Sequence, residues 1–455
     1  MNSYRGRNIL VMGLGKSGYA CACFLSGMGA VVTVTDMAQE DDLTPFSTDL
    51  RKRGIHLELG GHSIKTVENS DMIVMSPGVP HTIEPIRIAR KKGIPVIGEI
   101  ELAAGFIQEP MIAITGTNGK TTTTRLVSEM IKASGLSVFT GGNIGTPLID
   151  YVAGAVKTDR VVVEVSSFQL DTIQQFRPHV SVLLNITEDH LDRYDSFQSY
   201  AESKGRIFEN QRKTDYAVFN RTDRLVRELS GNSMATNLFF DFTGERENTA
   251  MIHSDTIHLP KFSDIEEHII DLSEARLTGR HNQENISAAS LATLAAGGSI
   301  EGVRLALKNF TGLPHRLEYV ETIGQVQYFD DSKATNVDAV LRALEAFEGK
   351  VILIMGGLDK GGDYTVLKDQ LRKKVRLILV MGEAKEIIKT SLGRFVDIVE
   401  TASMDEAVRA AYGSAVPGDT VLLSPACASF DMFDSYAHRG DVFRKAVKKI
   451  QEGCL

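Results

Sequence analysis

The stretch Met111-Ile112-Ala113-Ile114-Thr115-Gly116-Thr117-Asn118-Gly119-Lys120-Thr121-Thr122-Thr123-Thr124 most constrains what this chain can fold into. An apolar, β-branched run ends at Thr115, two glycines bracket a tight turn, and Lys-Thr-Thr opens an amphipathic helix with Leu126, Val127, Met130 and Ile131 on its apolar face. That order is a strand, a loop and a helix N-terminus. Glycine lets backbone N–H groups converge without a Cβ in the way, and the helix dipole adds partial positive charge at the same point. Lys120 is then placed to reach the β and γ phosphates, and the Thr121 hydroxyl to ligate Mg2+. The general spacing G-x-x-x-x-G-K-[ST] needs glycine at position 114, where this chain has Ile114. The loop is a variant, with Gly116 displaced toward the lysine. ATP contacts are expected from Gly116, Thr117, Asn118, Gly119, Lys120, Thr121 and Thr122.

A chain of 455 residues exceeds what one core supports, and the length predicts roughly two to four domains. Its net charge of -8 argues against a nucleic-acid or anionic-membrane partner and confines any anion site to a local pocket. Cys21, Cys23, Cys427 and Cys454 lack paired metal spacing and read as free thiols of a reducing compartment. No apolar run reaches the roughly 20 residues that span a bilayer. A cytoplasmic, soluble monomer is expected.

Upstream, Asn8 to Met12 forms a short strand followed by Gly13-Leu14-Gly15-Lys16-Ser17-Gly18 and a helix through Leu25. A second strand from Val31 ends at Asp36, about 20 residues past the glycines, where a dinucleotide fold places an acid on a ribose. The turn fits a nucleotide or nucleotide-sugar best, with NAD binding and plain tight packing as alternatives. Met72 to Met75 runs into Ser76-Pro77-Gly78, a turn at the carboxyl end of a strand, where open α/β sheets bind ligands. Pro95 to Ile97 reads as a further strand, and a boundary falls near Gly98.

Past the phosphate loop, Gly141-Gly142-Asn143-Ile144-Gly145 is too glycine-rich for a strand interior and suits close approach of a ligand. The strand from Arg160 ends at Glu164. A carboxylate buried there is costly unless paired or metal-bound, so Glu164 is a candidate Mg2+ ligand. Val180 to Leu184 is followed by Asn185-Ile186-Thr187-Glu188-Asp189-His190-Leu191-Asp192-Arg193-Tyr194, where His190 among acids suits a second metal or phosphate contact. Lys204 by itself reads as a surface charge. Asn210 to Leu277 reads as strands and turns. Gly279 to Asn285 then starts an Ala- and Leu-rich helix whose Asn282 faces a nucleotide or caps the helix.

Thr311 to Arg316 is linker-like. Beyond it, strands at Gln325–Phe329, Val351–Met355, Val375–Val380 and Thr420–Leu423 alternate with helical stretches, the pattern of a third parallel α/β unit. Three of these strands end in polar clusters, Asp330 to Asn336, Gly356 to Gly361 and Ser424 to Asp431. A rim with Lys333, Lys360 and a serine suits an anionic substrate. Together the domains describe phosphoryl transfer from ATP to an acceptor. A carboxylate acceptor gives an acyl phosphate that an amine can attack, with positioning and charge stabilisation carrying the catalysis.

The segments GTNGKTTTT, GGNIG, EVSSFQLD, TEDHLDRY with Tyr200 and Lys204, GRHNQEN, LPHR, DDSKATN, GGLDKG and SPACASFDMFDSYAHRGDVF resemble the Mur ligase family of bacterial cell-wall synthesis. They follow that family's order over nearly the whole chain, and DSKATN with SPACASFD most resembles its D-glutamate-adding branch. The resemblance implies an α/β chain of three domains: a Rossmann-like UDP-substrate domain at 1–98, a central P-loop ATPase-like domain with a mainly parallel sheet at 99–312, and a Rossmann-like amino-acid domain at 313–455. It implies that ATP, UDP-N-acetylmuramoyl-L-alanine and D-glutamate give an amide product, ADP and phosphate.

By the same resemblance two Mg2+ sites are expected, the first on Thr121 and Glu164, the second on His190 beside a carbamylated Lys204. Lys120, His190 and Lys204 are the expected catalytic groups. Asn282, Arg316, Asp331 and Lys360 are expected on ATP, with His315 nearby. Gly15, Lys16, Ser17, Asp36, Gly78 and Asn143 are expected on the UDP-muramoyl substrate, and Lys333, Thr335, Ser429 and Phe430 on D-glutamate. Three features depart from the pattern. Met37 and Ala38 replace polar or basic side chains, His190 to Lys204 is one residue shorter than a common form, and Tyr436 replaces phenylalanine. A sibling amide ligase, a folylpolyglutamate synthetase, an NAD-dependent oxidoreductase and a non-catalytic nucleotide-binding regulator are the competing readings.

Overall fold

The computed structural model describes residues 4–190, 193–243, 247–273, 275–277 and 279–453. Leu191, Asp192 and Cys454 lie outside the described residues. The chain is α/β with three sheets and divides into two compact units, one of Met1–Ile186, Tyr200–Glu274 and Glu284–Asn309, the other of Thr187–Ser199, Ala275–Gln283 and Phe310–Leu455. Among the described residues no helix is long and apolar enough to cross a membrane.

In the first unit, β1 (Asn8–Met12), β2 (Val31–Asp36), β3 (His56–Leu59), β4 (Met72–Met75) and β5 (Val96–Gly98) form a parallel sheet in the order β3-β2-β1-β4-β5. Ile9 to Met12 and all of β4 are buried without alternation, as expected of strands covered on both faces. Strand order reverses between β1 and β4. The turns after these two strands therefore diverge at the carboxyl edge and leave a crevice.

The second sheet of this unit has nine strands: β6 (Met111–Thr115), β7 (Val138–Gly142), β8 (Arg160–Glu164), β9 (Val180–Leu183), β10 (Tyr216–Asn220), β11 (Thr236–Asp241), β12 (Thr249–His253), β13 (Thr256–Leu259) and β14 (His268–Asp271). Their order is β14-β13-β12-β11-β10-β9-β6-β8-β7. Among the described residues only β12-β13 and β13-β14 pair antiparallel in this sheet. Register places Ile114 opposite Glu164 and Thr115 opposite Leu183, so β6, β8 and β9 end side by side. Residues 210–277 also hold a helix, Arg224–Ser230, which Asp223 caps by accepting from Val226 N.

The glycine segment corrects the sequence reading. Gly141 and Gly142 are the last residues of β7, an edge strand paired with β8. Gly142 has φ +96, and a Cβ there would lie 2.5 Å from the Glu164 carbonyl oxygen. Glycine lets the strand end run tight against its neighbour.

The second unit carries β15 (Glu318–Ile323), β16 (Val326–Asp330), β17 (Val351–Gly356), β18 (Val375–Met381), β19 (Ile398–Glu400) and β20 (Thr420–Leu423), in the order β15-β16-β20-β17-β18-β19. All pairs are parallel except the β15-β16 hairpin. Alternate residues of β17 face opposite cores. Val351, Leu353 and Met355 pack with Leu371 and Ile388, and Ile352 and Ile354 with Phe443 and Val447. Each buried aliphatic side chain contributes roughly 1.5–3 kcal/mol. Because β16, β20 and β17 are neighbours, their three polar loops share one rim.

Candidate functional site

The phosphate loop is braced from several directions. Gly119 is left-handed at φ +85, and a Cβ there would meet Asn285 Oδ1 at 2.3 Å. Helix Lys120–Ala133 begins immediately after it, with Lys120 and Thr121 in its first turn and Thr122 buried. Lys120 Nζ donates to the carbonyls of Gly116 at 3.0 Å and Thr117 at 2.8 Å, so the lysine lies folded over its own loop. Asn185 grips the loop from the end of β9. Its carbonyl accepts from Thr117 N at 2.9 Å, its Oδ1 accepts from Asn118 N at 2.8 Å, and its Nδ2 donates to Asn118 O at 3.0 Å. The sequence reading gave Asn185 no role of its own. Its only signal is an amide directly after a buried strand.

Lys204 is not a surface charge. It is 2% exposed, on helix Phe197–Gly205, and its Nζ donates to Gly116 O at 2.8 Å. It also stands 4.6 Å from the ring centroid of Tyr200, whose hydroxyl is 3.1 Å from Thr117 Oγ1. Burial of the amine is compensated by the carbonyl and the aromatic face.

Glu164 ends β8 at 2% exposure. Its Oε1 accepts from Asn143 Nδ2 at 2.9 Å, while Oε2 is buried with no hydrogen-bond partner among the described residues. A carboxylate oxygen in that position is costly without a cation. A buried carboxylate with a spare oxygen is the kind of hard oxygen donor that Mg2+ takes.

Between the turns after β1 and β4 lies a cleft of about 820 Å³. Gly13 to Ser17, Asp36, Met37 and Gly78 line it on one side, and Gly142, Asn143 and Gln169 on another. The Asp36 carboxylate is engaged by the protein, accepting from Leu14 N at 2.6 Å and Ala38 N at 2.9 Å. It thereby shapes the glycine turn. Gly15, Lys16 and Gly78 are exposed at the cleft and Ser17 is half-buried. The volume is that of a drug-sized or larger ligand site.

In the second unit, His190 sits at φ +55 with its ring half-buried. Its neighbour Asp189 accepts from His190 N at 2.9 Å, from Asn336 Nδ2 at 3.1 Å and from Lys360 Nζ at 3.4 Å. One carboxylate therefore joins the 187–190 segment to the loops after β16 and β17. Asp331 is 1% exposed, accepts from Ser424 Oγ at 2.8 Å and lies 3.9 Å from Arg316. Burial pushes its carboxyl up to about 6, against the pull of Arg316 and the Ser424 hydrogen bond. Asn282 lies in the first turn of helix Arg280–Ala295, with its N–H donating to Gly279 O at 3.0 Å.

Lys333 donates to the Tyr436 hydroxyl at 3.3 Å and lies 4.8 Å from that ring's centroid. Thr335 follows it on the same loop. Ser429 is buried and Phe430 is 73% exposed, both on the loop after β20. Arg439, to which sequence reasoning gave no role, is the largest fully buried side chain among the described residues. It donates to Ser332 Oγ and O at 2.9 Å, to Cys427 O at 3.1 Å, to Ala428 O at 3.3 Å and to Gly356 O at 3.4 Å. One guanidinium thus ties the three rim loops together, and burial lowers it to about 10. Behind the rim, His315, Glu318 and Asp330 are close enough to hold a metal, but Arg444 donates to both carboxylates. The guanidinium offsets part of that cluster's negative charge and occupies oxygens a metal would need.

Comparison with known proteins gives three adjoining family matches. Residues 7–98 match the N-terminal domain of Mur ligase MurD-like proteins, 114–293 the Mur ligase middle domain, and 315–427 the Mur ligase glutamate ligase domain. The chain is 52% identical over 447 residues to the UDP-N-acetylmuramoylalanine--D-glutamate ligase of Desulfosudis oleivorans, covering 98% of this chain and 97% of that protein. It is 47% identical over 450 residues to the ligase of the same name from Geotalea daltonii, covering 99% of each. Among solved structures, a pseudomurein peptide ligase type C from Methanothermus fervidus shares the fold at TM-score 0.61 and 21% identity, covering 98% of this chain and 100% of that one. The UDP-N-acetylmuramate-alanine ligase MurC from Thermotoga maritima does so at 0.58 and 20%, with the same coverage. The chain belongs to the Mur ligase family.

Proposed function

We infer that this chain is an ATP-dependent ligase that joins D-glutamate to UDP-N-acetylmuramoyl-L-alanine in peptidoglycan precursor synthesis. The observation that carries the reading is the pairing of a braced phosphate loop, with Lys120 over it, and a buried Glu164 whose second oxygen has no hydrogen-bond partner among the described residues. The γ-phosphoryl group passes from ATP to the alanyl carboxylate, giving an acyl phosphate and ADP. The amine of D-glutamate attacks the acyl carbon, the tetrahedral intermediate expels phosphate, and the amine loses its proton as the amide forms.

Each group has a part that its chemistry supports. Lys120, with the amides of Gly116 to Thr122, balances charge on the β and γ phosphates. Asn282, Arg316, Asp331 and Lys360 hold the rest of the nucleotide. Thr121 and Glu164 hold one Mg2+, and His190 with a carbamylated Lys204 the other. Bound there, Mg2+ supplies charge neutralisation at the phosphoryl oxygens. Carbamylation turns the buried Lys204 amine into a carboxylate, which suits a cation in place of the carbonyl it now meets. Gly15, Lys16 and Ser17 take the diphosphate, Asp36 and Gly78 the uracil side, and Asn143 the muramoyl end. Lys333 and Ser429 take the carboxylates of D-glutamate, beside Thr335 and Phe430.

The division into domains at 1–98, 99–312 and 313–455 belongs to the same reading. So does a cytoplasmic monomer with small-molecule substrates and neither nucleic-acid nor membrane partner. Mass spectrometry of the product tests it. The nucleotide sugar should gain one glutamyl residue when ATP, Mg2+ and D-glutamate are all present, and an unchanged mass contradicts the reading.

A further inference from the structure

One short helix places two carboxylates on the segments behind the inner wall of the 820 Å³ cleft. Helix Glu99–Ala104 follows β5 and buries Glu99, Ile100, Leu102 and Ala103. Glu99 Oε1 accepts from Ile149 N at 2.7 Å, in the first turn of helix Leu148–Ala153. Glu101 accepts from three successive amides, Gln174 N at 2.9 Å, Gln175 N at 2.8 Å and Phe176 N at 2.9 Å.

Both clamped segments lead back to the cleft. Helix Leu148–Ala153 continues the turn that carries Asn143, a turn closed by Gly142 N donating to Thr146 O and Asn143 N to Glu164 O. The 174–176 segment follows helix Ser167–Leu170, whose Gln169 lines the cleft.

Glu99 is an unusual choice for that position. It is 1% exposed, and its Oε2 has no hydrogen-bond partner among the described residues. Burial, with Asp150 adding to it, pushes the carboxyl up to about 7 although the Ile149 and Leu148 amides pull it back. An oxygen buried unpaired costs stability. A local rule broken in this way points to what the bonded oxygen holds in place.

We propose that Glu99, supported by Glu101, is a positioning residue. Glu99 fixes the base of helix Leu148–Ala153 and Glu101 fixes the 174–176 segment, and together they hold Asn143 and Gln169 opposite the Gly13 to Gly18 turn. They thereby set where the reactive end of a nucleotide-linked substrate lies relative to the phosphate loop. The proposal rests on reading the cleft as the site of the UDP-linked substrate.

The test compares the full-length enzyme with Glu99→Ala and Glu99→Gln. Hydrogen exchange by mass spectrometry follows peptides covering 142–150, and steady-state kinetics follow each of the three substrates. Glu99→Ala should exchange faster at 142–150 and raise KM for UDP-N-acetylmuramoyl-L-alanine about ten- to hundredfold, because small misplacements carry large kinetic losses. KM for ATP and for D-glutamate should stay unchanged. Glu99→Gln keeps an acceptor oxygen for Ile149 and should recover most of the loss. Wild-type KM in a fast-exchanging Glu99→Ala overturns the proposal, as does an equal loss for all three substrates or unchanged exchange. A wild-type enzyme that is not saturated by the nucleotide sugar contradicts the assignment of the cleft instead, and the exchange comparison then decides the clamp by itself.

Discussion

Lys204 donates to the carbonyl of Gly116 at 2.8 Å, so a lysine far along the sequence is built into the phosphate loop. It is almost wholly buried, with the face of Tyr200 beside its amine. On the proposed reading, carbamylation of this amine would place a metal-binding group against the phosphate loop.

Lys204→Ala is expected to lower D-glutamate-dependent phosphate release by at least about a hundredfold, the scale for loss of a preorganised charge-stabilising group. A small carboxylate such as formate or acetate should restore part of it. Full activity without rescue removes the carbamate role.

Lys120→Ala should lower kcat by roughly 10²–10³-fold, because the charge developing on the transferring phosphoryl group loses a stabilising cation. Initial-rate measurements at saturating ATP check this, and near wild-type turnover contradicts it.

The legible parts of the fold and site are those with a local signature. The glycines of the phosphate loop, the helix that follows and the apolar run of β6 identify the loop without any partner. Glu164 stands out as a charge at the end of a continuous apolar strand. Lys204 has no such signal, because its burial comes from the loop packed against helix Phe197–Gly205. The grip of Asn185 on Asn118 and the span of Arg439 across three rim loops depend on which strands become neighbours. Likewise, β15 and β19 are partly exposed edge strands with no continuous apolar run to mark them. Gly141 and Gly142 stand at the end of β7 and not in its interior, so the glycine content did not rule a strand out there.

Arg439→Ala leaves the carbonyls of Ser332, Gly356, Cys427 and Ala428 without this donor. The expected cost is roughly 3 kcal/mol of stability, with a raised KM for D-glutamate as the rim loops loosen. Urea unfolding midpoints and amino-acid titrations measure both. A variant as stable as wild type contradicts the hub role.

Glu99 gives stability a pH dependence of defined sign. Its folded carboxyl titrates at about 7, against an ordinary 4.5. Between those values the folded protein binds more protons than the unfolded chain, so this group's contribution falls as pH rises through the window. The full effect is roughly 3 kcal/mol. Wild type should therefore lose stability relative to Glu99→Gln between pH 5 and pH 8 on a scale of that order, read from urea midpoints. Parallel curves contradict it.

The most direct test of the central claim is phosphate release from ATP and UDP-N-acetylmuramoyl-L-alanine with Mg2+, comparing D-glutamate with L-glutamate, L-alanine, L-lysine and meso-diaminopimelate. Release that depends on D-glutamate alone is the predicted result. Release driven by another amino acid, or none with any of them, contradicts the account.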